Sequence, residues 1–160
     1  EISKGSFYWY FKSKQAVFAH IVEAWADEVA GEMATQFREA MTAQQPYAAI
    51  ALALIREAKR SRKIIPVWIE FLAEASREEY AREVLGKFHA RLRKVLTELL
   101  ELAVDDNVSE PEVAALASVA LASFFGLLCQ ELTDPDFAGF QTHMTDFMKL
   151  IAREVVAARS

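Results

Sequence analysis

The chain is poor in helix breakers and in the residues that carry redox or metal chemistry. Its 160 residues include five Gly, four Pro and one Cys. A single thiol, Cys129, excludes an intrachain disulfide and fits a reducing, cytoplasmic compartment. No cation stands beside Cys129 in sequence to activate it, so a buried inert thiol is expected rather than a redox sensor. No Cys-x-x-Cys, His-Glu-x-x-His or glycine-rich phosphate loop occurs. His20, His89 and His143 are far apart, and the lack of Glu-x-x-His argues against a di-iron bundle. No enzyme, metal site or cofactor is therefore expected. No secretory or transit segment is visible. The longest apolar stretch, 113–129, is interrupted by Ser118 and Ser123 and reads as too short for a membrane span.

The residues that remain favour helices. Hydrophobic residues make up 53% of the chain, which excludes disorder, and Ala, Leu and Glu are common. The expected fold is an all-α helical bundle. Net charge is −5, a poor whole-surface match for nucleic acid. The charge is uneven, however: residues 1–14 hold three Lys and one Glu, giving +2, and the rest carries −7. A small basic tip on an acidic body suits a protein that touches DNA with one end only.

Apolar periodicity divides the chain into helices. A long first helix over 13–43 carries Phe18, Val22, Trp25, Val29, Met33 and Phe37 on one stripe, with Ser13 as its N-cap. A second, over 47–60, carries Ile50, Leu52, Leu54 and Ile55 and closes on the basic cluster Arg56, Lys59, Arg60, Arg62 and Lys63. A third, over 67–75, follows Pro66 and carries Trp68, Phe71 and Leu72. Ser76-Arg77-Glu78-Glu79 has the pattern of a capping box for a helix reaching about residue 103, with Tyr80, Val84, Phe88, Leu92, Val95, Leu96 and Leu99 on one side. Asp105-Asp106-Asn107 reads as a turn, and Ser109 to Glu112 as a second capping box. Asp134-Pro135 is expected to start the last helix, lined by Phe137, Phe140, Met144, Phe147, Ile151 and Val155.

Five consecutive aromatics, Phe7-Tyr8-Trp9-Tyr10-Phe11, stand near the start. Successive helix residues turn by about 100°, so no helix buries all five on one face. Phe7, Tyr10 and Phe11 share one arc; Lys4, Gly5, Tyr8 and Trp9 share the opposite one. Lys, Ser and Tyr suit phosphate oxygens, and Gly5 allows close approach of another backbone. As a strand, the run would instead bury Phe7, Trp9 and Phe11.

The block Ile2-Ser3-Lys4-Gly5-Ser6-Phe7-Tyr8-Trp9-Tyr10-Phe11-Lys12-Ser13-Lys14, followed by Ala16 and Phe18, resembles the end of the DNA-binding domain of TetR-family transcriptional regulators. The resemblance covers the third helix of a helix-turn-helix domain and the start of the fourth. It implies base or groove contacts from Lys4, Gly5, Tyr8 and Trp9, and phosphate contacts from Ser6, Tyr10 and Lys14, with double-stranded operator DNA as the partner. The two helices ahead of the recognition helix are not in this sequence and residue 1 is Glu, so an N-terminally truncated chain is expected. Residues 1–14 would then be the remnant of the DNA-binding domain, and 15–160 a ligand-binding and dimerisation domain.

The helix at 111–132 is apolar nearly all round and must be covered on two sides. Two such helices from each of two subunits make a four-helix seam, the arrangement the resemblance also implies. Leu121, Phe125, Leu128, Phe140, Met144, Phe147 and Ile151 are the candidate homodimer contacts; the alternative is a central core helix in a monomer. Trp25, Met33, Trp68, Phe71, Phe88, Phe124, Phe125 and Cys129 are candidates to line a cavity for a small hydrophobic or aromatic ligand. Each is also compatible with ordinary core, and the ligand role rests on the resemblance. The expected function is a repressor released from its operator by such a ligand; the alternative is a helical binding or scaffold protein without DNA binding.

Overall fold

Six α-helices and no strand occur among the described residues. The computed structural model describes residues 13–43, 46–102, 108–134, 136–137 and 139–157. Lys4, Gly5, Ser6, Tyr8, Trp9 and Tyr10, with the rest of the aromatic run and the 105–107 turn, lie outside the described residues. Lys14 is the first helical residue, and its side chain also lies outside them.

The helices are α1 (Lys14–Met41), α2 (Pro46–Ser61), α3 (Ile65–Ala75), α4 (Glu79–Glu101), α5 (Glu110–Thr133) and α6 (Phe140–Ala157). Helix α1 packs on α2 and α4, α4 on α5, and α6 on both α2 and α5. These five form a closed ring, while α3 packs outside it on α4 and α1. The ring follows from the apolar stripes. On α1, Val22, Trp25, Val29 and Phe37 are buried, and Phe18 and Met33 are half-buried against the same core. On α4, Val84, Phe88, Leu92, Leu96 and Leu99 are buried.

Helix ends follow their side chains. Ser13 is extended, and its Oγ accepts the Ala16 N–H at 3.1 Å, which opens α1 as expected. At α5, the Glu112 carboxylate accepts from both the Ser109 N–H (2.9 Å) and the Ser109 hydroxyl (2.6 Å). Those two bonds hold the Glu112 pKa below the usual carboxylate range.

Several expectations are corrected. Ser76 caps no N-terminus: it ends α3, and its hydroxyl donates to the Ala73 carbonyl at 2.7 Å, so α4 starts behind Glu78 without a side-chain cap. The last helix does not begin at Asp134. That residue ends α5, and its Oδ1 accepts the Asp136 N–H at 3.0 Å in an Asx turn. Helix α6 waits for Gly139, whose φ of +91° a side chain would strain, and for the Phe140 N–H to reach Glu131 Oε1 at 3.2 Å. Phe137 therefore lies before α6 and stacks on His143 at 4.5 Å. Leu52, Leu72 and Tyr80 are exposed, because each lies off its helix's buried stripe. Helix α5 is 24 residues long, and among the described helices it alone is long and apolar enough to cross a bilayer by length and composition.

Neighbouring residues on α3 test this facing. Phe71 is 1% exposed and Leu72 44%. Phe71→Ala should cost about 3–5 kcal/mol of unfolding free energy, and Leu72→Ala should stay within about 0.5 kcal/mol. Chemical denaturation of both variants measures the contrast; equal losses would contradict the assigned face.

Candidate functional site

The ring of helices does not fill its own centre. A cavity of about 90 Å³ lies there. Helix α1 contributes Trp25, Val29, Met33 and Phe37, and α4 contributes Leu92, Leu96 and Leu100. Helix α5 adds Leu116, Ala120, Leu121, Phe124 and Phe125; α6 adds Met144, Phe147 and Met148; α2 adds Ile50, Leu54 and Ser61. Apart from the Trp25 indole N–H, the Ser61 hydroxyl is the one hydrogen-bonding side-chain group on this lining.

Four of the eight sequence candidates, Trp25, Met33, Phe124 and Phe125, meet at this cavity. The other four stand outside its wall. Trp68 stacks on Phe125 with centroids 4.6 Å apart and planes 16° from parallel, and Phe88 stacks on Trp25 at 5.1 Å. Phe71 meets Phe18 at 6.2 Å, and Cys129 is half-buried away from the lining. Burial raises the Cys129 pKa, which leaves an unreactive thiol. The rings of Trp25, Trp68, Phe88 and Phe125 thus brace one end of the cavity instead of all lining it. Leu92, Leu96 and Leu100 were missed as lining although their four-residue spacing was readable. Ser61 carried no signal, since its burial depends on how α2 packs against its neighbours in the ring.

His89 sits edge-on to Trp68, Phe88 and Phe125 at 6.2, 5.3 and 6.1 Å. Burial, and then the Arg93 charge, push its pKa below the ordinary 6.5. Beside it, the buried Trp68 Nε1 has no acceptor among the described residues.

Ion pairs fix α1 from two sides. Arg60 of α2 reaches Glu28 at 2.6 Å and Glu32 at 3.2 Å, and Arg91 of α4 reaches Asp27 at 2.9 Å. Arg62 grips Glu131 with two bonds of 3.0 and 2.8 Å. Arg60 of the basic cluster is thereby placed beside the middle of α1, roughly 20 Å along the axis from Ser13 at 1.5 Å per residue.

The candidate interface residues are corrected by burial. Leu121, Phe125, Leu128, Phe140 and Met144 face the core of their own subunit, and Phe147 is half-buried against it. The Ile151 side chain lies outside those described. The outward face of α5 carries Ala115, Ser118, Val119 and Ala122 instead. No cluster of His, Cys, Asp or Glu suited to a metal occurs among the described residues.

The described residues thus form an all-helical ring around an apolar cavity. Over residues 43–156 the chain matches the family of BetI-type transcriptional repressors, in the C-terminal part that defines it. The chain belongs to this family of TetR-type transcriptional regulators. Comparison with curated proteins and with solved structures finds no match.

The His89 environment has a pH consequence. With its folded-state pKa below 6.5, the unfolded chain takes up a proton that the folded one resists. Stability from this group is complete above about pH 6.5 and falls as pH drops toward the folded value. Thermal melts at pH 7 and pH 5 should show a smaller acid loss in His89→Gln than in the wild type. An identical loss in both would contradict the assignment.

Proposed function

We propose that the chain is the sensing and dimerising part of a repressor that leaves its operator when a small apolar molecule enters the cavity. The observation that carries this reading is the nearly all-apolar cavity with α1 as one wall. Residues 1–14 then supply the recognition helix, with Lys4, Gly5, Tyr8 and Trp9 toward the groove and Ser6, Tyr10 and Lys14 toward phosphates. Residues 15–160 supply the body.

The mechanism follows from helix geometry. Trp25, Val29 and Met33 form the α1 wall of the cavity. A ligand that displaces them tilts α1. Val29 lies about 22 Å of helix rise from Lys14, so a tilt of roughly 5° moves the DNA end by about 2 Å. In a dimer both ends move, and two recognition helices fit successive major grooves only near a spacing of about 34 Å. Ligand and DNA then oppose each other by a coupling of about 1–3 kcal/mol, equal in both directions.

The dimer uses the outer face of α5. Only 33% of the most apolar window of α5 is buried within the subunit. Val119 is 56% exposed there, between small residues that let a second helix approach closely. A second copy of α5 and α6 covers that face and completes a four-helix seam.

Mobility shifts with the full-length protein and its own upstream DNA test the reading. Tyr8→Ala and Lys14→Ala should each weaken binding by about tenfold, on the order of one good contact. Val119→Glu should sediment as a monomer and lose the shift. Full DNA affinity in all three variants would contradict the proposal.

A further inference from the structure

Glu57 is a carboxylate sealed inside the fold. It is 2% exposed and lies on α2, one turn before Ser61 of the cavity wall. One of its oxygens accepts the Ser61 hydroxyl at 2.8 Å. The other, Oε2, has no hydrogen-bond donor among the described residues; Arg60 Nε stands 3.8 Å away. That guanidinium is already shared with Glu28 and Glu32. A second buried acceptor, Gln36 Oε1, also lacks a partner, while the Gln36 amide donates to Glu32 at 3.2 Å.

The residues that carry these two acceptors meet at one place. A side void of about 10 Å³ is lined by Gln36 and Glu57 together with Met33, Phe37 and Leu54. The last three also line the main cavity. Met33, a half-buried, unbranched thioether, lines both spaces, and a change of its rotamer would join them. A space joining them would have an apolar body and one end where Glu57 and Gln36 carry unpartnered acceptors, with the Arg60 guanidinium 3.8 Å from Glu57 Oε2. An unsatisfied buried acceptor is costly, and a donor placed there removes that cost.

We propose that the cavity selects a small apolar molecule with a single hydrogen-bond-donating head, seated against Glu57 Oε2 and Gln36 Oε1. The inference rests on the cavity reading above and narrows it. A hydroxyl and a protonated amine share this chemistry. Three carboxylates around one guanidinium favour the cation in strength, though either head makes the bond. A carboxylate head is rejected, because it would bring acceptors to acceptors.

Four probes with one body separate the possibilities by calorimetric titration of the full chain: ethylbenzene, 2-phenylethanol, 2-phenylethylamine and phenylacetate. The alcohol or the amine, or both, should bind at least tenfold tighter than ethylbenzene, and phenylacetate more weakly than either. An amine preferred over the alcohol marks an ionic head; equal affinities mark a neutral hydrogen bond, and both support the proposal. Glu57→Gln, which keeps the side chain's shape and its acceptor for Ser61, should bring alcohol and amine down to the ethylbenzene level. Should circular dichroism show that variant unfolded, Gln36→Leu gives the same reading. Ethylbenzene binding as tightly as the donors would overturn the donor-head inference and leave the apolar cavity standing. Binding by none of the four would overturn both.

Discussion

The structure depends on a packing conflict at the centre of the helical ring. Five helices turn apolar stripes toward one axis, and the side chains they bring do not fill it. Stacked rings set the spacing at one end: Trp25 on Phe88, Phe125 on Trp68, and Trp25 edge-on to Phe125 at 6.0 Å. Planar aromatic groups have few rotamers and cannot collapse into a gap as aliphatic chains do. They hold α1, α4 and α5 apart, and the thinner side chains of Ala120, Leu92 and Met148 leave room beyond them. An unfilled apolar space forfeits dispersion contacts, so a ligand of the right shape gains what the fold forgoes.

In the proposed function, α1 carries that gain to the DNA end. It is a wall of the cavity, it is held at mid-length by Arg60 and Arg91, and its first turn follows the segment assigned to DNA. Exposed pairs of this kind are individually weak. Together they tie the middle of α1 to α2 and α4. Glu131 of α5 links further helices, taking the guanidinium of Arg62, just past α2, and the first N–H of α6 on one carboxylate. One carboxylate therefore ties the end of α2, the end of α5 and the start of α6 together.

Much of this was readable in the amino-acid order, and the failures share a cause. The α1 stripe, Ser13 and the Ser109–Glu112 box were read correctly because they rest on local periodicity and local hydrogen bonds. Ser76 and Asp134 carry equally good N-cap chemistry, yet both serve the end of the preceding helix, a choice local pattern does not decide. Periodicity also cannot tell which neighbour covers an apolar residue. The largest side chains of α5 and α6 were assigned to a partner subunit, but they fill their own core, and small residues face outward. Trp68 and Phe88 were assigned to the cavity, but they stack behind its wall. The buried pair Glu57 and Ser61 went unread, since a carboxylate in a helix ordinarily signals solvent.

The account stands or falls on whether the centre of the ring is open. Xenon enters dry apolar cavities and is visible in diffraction. A xenon-pressurised crystal should show a bound atom between Trp25, Leu92, Phe124 and Met148. Absence of any xenon there, with those side chains in mutual contact, would mean that the helices close on one another and that the interior is an ordinary core.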